Sequence, residues 1–137
     1  MRLISWRTRV CPTDPAILGR AGEKLAARHL KQRGCRVVAR NLRTKLGELD
    51  LVALAPDRRT LVLVEVKTRA LRADASAAPP PEAAITARKR KKLALLARQI
   101  IASRRWHDRP VRIDVIAIDW PHDGKPILRH YENAIRG

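Results

Sequence analysis

Hydrophobic and polar positions divide the chain into a helix, three strands, a second helix and a strand, with a possible strand at the end. Between Ile17 and Arg33, residues Leu18, Ala21, Gly22, Leu25, Ala26 and Leu30 recur at helical spacing and predict a core-facing arc. Arg20, Lys24, Arg28 and Lys31 gather on the opposite face, and Gly34 follows as the residue that ends the helix. Cys35 to Asn41 predicts a short strand whose charges suit a sheet edge. Strict alternation from Glu48 to Ala55 places Glu48, Asp50, Val52 and Leu54 on one face of a second strand. Leu61 to Thr68 is apolar and β-branched, with Leu61, Leu63, Glu65 and Lys67 on one side and Val62, Val64 and Val66 on the other. Two faces that both ask for burial predict a central position in the sheet. Pro56-Asp57-Arg58-Arg59 has turn chemistry and joins these two strands as an antiparallel hairpin.

Beyond the hairpin, Ala70 to Pro81 is rich in small residues and proline and predicts a flexible loop. A helix from Glu82 to about Arg105 carries the stripe Leu93, Leu96, Ala97 and Ile100, preceded by five consecutive bases, Arg88 to Lys92. Val111 to Asp119 is a further strand, and Pro126 to Tyr131 a short one covering an edge. Met1 to Ala16, basic and carrying Pro12 and Pro15, reads as a flexible arm before one domain spanning residues 17–137. The element order predicts an α/β fold with a mixed sheet in two or three layers.

Composition alters this picture mainly through charge. The 137 residues suit one domain, and 45% hydrophobic with 31% charged residues is ordinary. Thirty Lys and Arg against 13 Asp and Glu give +17, which predicts a polyanionic partner, nucleic acid first, over a merely solvated basic surface. With 3% aromatic residues and no Phe, contacts to backbone phosphates are expected to outweigh base stacking. Two Cys and four His offer neither a zinc motif nor a disulfide framework. The chain shows no apolar run of transmembrane length and no signal segment, so the expectation is a reduced, cytoplasmic protein with no membrane partner.

The candidate chemistry lies where the hairpin brings Asp50 and Glu65 together. Two carboxylates at one place repel, and a charge out of water is costly unless it is paired or coordinates a metal. Lys67, two residues from Glu65 on the same face, meets part of that need. A divalent cation between Asp50 and Glu65 meets the rest, and hard oxygen donors suit Mg²⁺ or Mn²⁺. The carbonyl of Val66, between the two side chains of Glu65 and Lys67, is a candidate further ligand. A metal lowers the pKa of a bound water, and an ammonium beside it can orient that water, which is chemistry suited to phosphodiester hydrolysis.

Asp50 followed by Glu65-Val66-Lys67 resembles the PD-(D/E)XK nuclease superfamily. The framing Gly47-Glu48-Leu49-Asp50, then Val64 to Arg69, with Asn41 and Arg43 before it, looks more closely like the YraN-like family of small bacterial proteins. That family is similar to archaeal Holliday-junction resolvases, and the resemblance runs from about Gly19 to Ile118. It implies a restriction-endonuclease-like fold, a mixed sheet flanked by helices. It also implies a metal-dependent endonuclease acting on DNA rather than RNA, on branched or structured substrates, with a homodimer allowed because paired cuts need two sites. In this reading Asp50, Glu65 and the Val66 carbonyl hold the metal, and Lys67 orients or activates the attacking water. Glu23 supports the metal or its water shell, unless it is simply a first-turn glutamate favoured by the helix dipole. Lys89 approaches the site from the second helix, unless the basic run is only a solvated surface. Arg20, Lys24, Arg43 and Lys45 bind phosphate, although Arg43 and Lys45 serve equally well to neutralise neighbouring acids. The chain departs from the family pattern in the 70–81 loop and at Cys35 and Leu42. The alternative is a nucleic-acid-binding protein without catalysis, its acids and Lys67 forming a structural ion-pair cluster. A basic ribosome-associated protein is weaker, because it gives no reason for Glu-x-Lys to end an apolar strand.

Overall fold

The computed structural model describes residues 10–71 and 85–135. Five strands form one sheet in the order β1-β2-β3-β4-β5: β1 (Arg36–Thr44), β2 (Gly47–Leu54), β3 (Leu61–Leu71), β4 (Val111–Pro121) and β5 (Ile127–Ile135). All neighbouring pairs are antiparallel except β3 and β4, which run parallel and are connected through helix α2 (Ala87–Arg104). A parallel pair needs such a crossover, which places α2 on a face of the sheet. Helix α1 (Pro15–Gln32) covers the other face. The result is a mixed α/β sheet flanked by helices, the architecture that the restriction-endonuclease-like resemblance implies.

The core is split by the sheet. On the α1 side Leu25, Ala26, Ala27 and Leu30 pack on Leu51, Ala53, Val62, Val64, Ile116, Ile118 and Trp120. On the α2 side Leu93, Leu96, Ala97 and Ile100 pack on Leu49, Val52, Leu61, Leu63, Ile113 and Val115. Strand β3 is central and buried on both faces from Leu61 to Val64, and β1 and β5 are the edges.

Caps fix the element ends. Asp14 Oδ1 accepts from the N–H groups of Ala16 and Ile17 at 2.8 and 3.2 Å, and Pro15 follows at the first helical position. Helix α1 therefore starts two residues earlier than the periodicity predicts. The expected N-terminal arm is shortened further by Cys11, which is buried in the α1-side core, while residues 1–9 lie outside the described residues. Gly34 takes φ +85° after α1, with its N–H donating to the Lys31 carbonyl and that of Cys35 to the Leu30 carbonyl. This is the paired 5→2 and 6→1 ending that a glycine at that position permits. Helix α2 begins at Ala87 rather than Glu82, because Thr86 Oγ1 accepts from Lys89 N–H and caps it there. The expected 70–81 loop is shortened at its start by β3, which runs on to Leu71; residues 72–84 lie outside the described residues.

Candidate active site at the open end of the central hairpin

Asp57 closes the β2–β3 turn by accepting from Arg59 N–H, Thr60 N–H and Thr60 Oγ1 at 2.7–2.9 Å. That turn sets the register Leu54↔Leu61, Ala53↔Val62, Val52↔Leu63 and Leu51↔Val64. One step further from the turn are Asp50 and Glu65. The ladder gives way there to a side chain: Val66 N–H donates to Asp50 Oδ2 at 2.8 Å. Glu65 Oε1 lies 3.1 Å from Lys67 Nζ, in an ion pair largely withdrawn from solvent. The expected trio is therefore assembled, and Val66 fixes Asp50 through its N–H.

The electrostatics of the trio are unbalanced. Burial, then the charge of Glu65, push the Asp50 carboxyl up to about 7, against the opposing hydrogen bond from Val66; Glu23 adds to the rise. Burial also works against the Lys67 ammonium, but hydrogen bonding with Lys89 and the charges of Glu65 and Asp50 hold its pKa above the ordinary lysine value. Lys89 moves the other way, its pKa lowered first by the hydrogen bond it shares with Lys67. Two ammonium groups in contact cannot both stay charged without penalty. Lys89 thus reaches the site from the first turn of α2, as the resemblance implies.

Glu23 comes in from α1. Its neighbour Gly22 is buried, and a Cβ there would lie 1.8 Å from Thr68 Oγ1, so only glycine lets α1 sit this close to β3. Asn41, with its amide nitrogen turned to the acids, donates to Glu23 Oε2 at 3.2 Å and Glu48 Oε1 at 2.8 Å. Burial and the Glu48 charge raise the Glu23 pKa, partly offset by Asn41. Glu48 in turn lies 3.5 Å from Arg43 Nε, the structural partner expected for it.

One expectation is corrected. Glu48, Asp50, Val52 and Leu54 do not form one face, because Leu49 packs with Val52 and Leu54 on the α2 side while Leu51 packs on the α1 side. The facing strand breaks step at the same place. Ala39 and Leu42 both pack towards α2, and Asn41 between them has φ +51°. This break is what turns Asn41 to the acids, and alternation alone does not foretell it.

Of the phosphate-binding candidates, Arg20 is near enough to Glu23 to lower its pKa. Lys24 stands exposed on α1, and Lys45 exposed in the β1–β2 turn. Lys92 was not singled out, yet its Cε lies 3.7 Å from where a Cβ on Gly47 would be. Lys92 was legible in the basic run, since it precedes Leu96 by four residues as Lys89 precedes Leu93, and both extend the sheet-facing stripe.

A second polar cluster lies between β4 and β5, around Asp114. Asp114, fully buried, accepts from Arg112 Nε at 3.1 Å, Asn133 N–H at 2.9 Å and His130 Nε2 at 2.8 Å. His130 Nδ1 is 3.1 Å from His29 Nε2. Burial opposes the Asp114 charge, but the bonds from His130, Asn133 and Arg112 hold its pKa below the usual carboxylate value. Both carboxylate oxygens of Asp114 are partnered, which gives Arg112 and Asp114 a structural role.

Among the described residues no three or more His, Cys, Asp or Glu side chains are grouped to hold a metal. Asp50 and Glu65 are a two-carboxylate donor set, which suits a cation that keeps several waters. Burial and the neighbouring Glu65 charge both disfavour an ionised Asp50, and a divalent ion between the two carboxylates would offset both, so the residues fit such an ion. Cys11 and Cys35 are free and buried, and burial pushes both thiols up, away from reactivity. No helix among the described residues is long and apolar enough to cross a membrane.

Residues 22–118, from Gly22 through β4, match the model of the Uncharacterised protein family UPF0102. A UPF0102 protein of Pelobacter propionicus is 41% identical over 116 residues, 85% of this chain and 80% of its own length. One of Pseudomonas entomophila is 44% identical over 123 residues, 88% of this chain and 94% of its own. Among solved structures, Pyrococcus furiosus SfsA in complex with Ca²⁺ is a remote likeness, at 20% identity and a TM-score of 0.42, covering 93% of this chain and 67% of that one. The segment that carries Glu23, Asn41, Asp50, Glu65, Lys67 and Lys89 is thus the segment that the family shares, and the chain belongs to UPF0102.

Proposed function

We propose that this protein is a Mg²⁺- or Mn²⁺-dependent endonuclease hydrolysing phosphodiester bonds of DNA, with branched or otherwise structured DNA as the preferred substrate. The observation that carries the reading is Asp50 and Glu65 meeting at the ladder's end, with burial and the Glu65 charge raising Asp50 to about 7 and Lys67 beside them. Asp50 and Glu65, with the Val66 carbonyl, would hold the ion. When bound, the ion would lower the pKa of water and offset phosphate charge. Lys67 orients the attacking water and stabilises charge developing on the phosphate. Lys89, less basic than an ordinary lysine, takes up or releases a proton next to Lys67. Glu23, held by Asn41, orders water at the rim. Arg20, Lys24, Arg43 and Lys45 offer positive charge to flanking phosphates. The buried free thiols suit a reduced, cytoplasmic setting. Cutting both strands of a substrate would call for a second copy of the chain.

The Glu65–Lys67 ion pair, at 3.1 Å, favours a second reading in which the cluster is structural and the basic surface only binds nucleic acid. A cleavage screen over linear, flapped and four-way DNA with Mn²⁺ separates the two. The nuclease reading expects Lys67→Ala to lose about 10²–10⁴-fold in rate and Glu65→Gln at least as much. Equal residual cutting by wild type and both variants would leave only the binding reading.

A further inference from the structure

A depression of about 620 Å³ runs along α1, and its lining includes Arg20, Lys24, Arg28, Lys31 and, from the edge strand β1, Arg40. Five of its eight lining residues are cationic, and no carboxylate lines it among the described residues. Arg28 is the most telling. Its Nη1 is buried and has no hydrogen-bond partner among the described residues. A guanidinium offers five donors in a planar fork matched to phosphate oxygens, and with Nη1 held inside, the remaining donors of the half-buried Arg28 are the ones open to a phosphate in the depression. The depression also has a direction. At one end Arg20 lies close enough to influence Glu23, and Arg40 is followed in β1 by Asn41, which bridges Glu23 and Glu48. From there Lys24, Arg28 and Lys31 lead away along α1. Arg20 to Lys31 spans about 16 Å of helix, the rise of about five nucleotides of one strand of a duplex.

We propose that this basic depression tracks the sugar-phosphate backbone of DNA and delivers it to the acidic site, with Arg28 and Arg40 as its principal phosphate contacts. The proposal rests on the nuclease reading only for its second half, the delivery; the binding surface stands on its own charges. Electrostatic contacts of this kind release counterions, so each one lost should lower the salt slope of binding by about 1.

The test reads binding separately from cleavage. A fluorescein-labelled DNA duplex is titrated in EDTA at several salt concentrations. Three proteins are compared: wild type, a depression variant (Arg28→Gln, Lys31→Gln, Arg40→Gln), and a control that removes equal charge from the β2–β3 turn and the end of α2 (Arg58→Gln, Arg59→Gln, Arg104→Gln). The depression variant should bind at least tenfold more weakly at low salt, its salt slope reduced by about 2–3, with the control near wild type. Because Arg28 is partly buried, the double variant Lys31→Gln, Arg40→Gln, both exposed, is measured as well and should lose about 2 in slope. Equal losses in the depression and control variants would show diffuse attraction to a basic protein and overturn the proposal. Selective loss of binding in a protein that cuts no DNA would instead sustain the surface and overturn the nuclease reading.

Discussion

Asp50→Asn keeps the shape of the side chain and removes its charge. The amide oxygen can still accept from Val66 N–H, while the new N–H₂ can donate towards Glu65. Asp50 titrates at about 7 in the fold against an ordinary 3.8, so between those values the native state keeps a proton that the unfolded chain has lost. Its contribution to stability is therefore full below about pH 4 and is lost as pH rises through 7. Without metal, Asp50→Asn should be more stable than wild type at pH 8, by roughly 2–4 kcal/mol at most, and nearly equal to it at pH 4. Denaturant unfolding in EDTA measures this, and a variant less stable at both pH values would refute the electrostatic account. The residue types of this site were legible because Glu-x-Lys closing an apolar strand conflicts with burial, and a conflict is visible in sequence. Asn41 was not, since its part depends on a φ of +51° that throws β1 out of step, which no local pattern encodes.

At the scale of elements, the docking of α1 on β3 decides where Glu23 stands. An alanine methyl at position 22 would overlap Thr68, at 1.8 Å from Oγ1 and 2.8 Å from Cβ, so α1 must lift. Gly22→Ala should cost about 1–3 kcal/mol. Thr68→Ala removes the nearer obstacle, and Thr68 Oγ1 is a buried hydroxyl without a partner among the described residues, so that change alone should be mild. In the double variant part of the loss should return, giving a coupling of at least about 0.5 kcal/mol, whereas strict additivity would mean the two residues do not meet. Helices and hairpin were legible because their buried stripes are periodic: Leu93, Leu96, Ala97 and Ile100 are buried as the spacing predicts. Their extents were less so. Strand β3 runs on through Arg69 to Leu71 because β4 pairs with it residue for residue as far as Pro121, and a partner from 50 residues away leaves no trace in the local pattern.

Across the whole molecule, the two polar clusters answer pH with opposite sign. His29 is held neutral, its pKa lowered first by burial and then by His130, and Asp114 is held charged below its ordinary value. Groups with depressed pKa values add stability above their unfolded pKa and lose it as pH falls, His29 from about pH 6.5 downward and Asp114 from about pH 4. Asp50 works in the other sense, losing its contribution as pH climbs through 7. Metal-free protein should thus show a stability profile flattened below about pH 6.5 and above about pH 4, where His29 and Asp50 oppose, and falling below about pH 4 as Asp114 is protonated. A divalent ion bound by the ionised carboxylates competes with the proton on Asp50, so the gain it confers must itself grow with pH. In thermal unfolding with and without Mn²⁺, the rise in Tm should be several degrees at pH 8 and close to nil at pH 5. The rise should vanish at both values in Glu65→Gln, while Asp114→Asn, which disturbs the other cluster, keeps the Mn²⁺ response and melts lower throughout. A Mn²⁺ effect equal at both pH values, or one that survives Glu65→Gln, would place the ion elsewhere on the protein and detach the acidic cluster from metal chemistry.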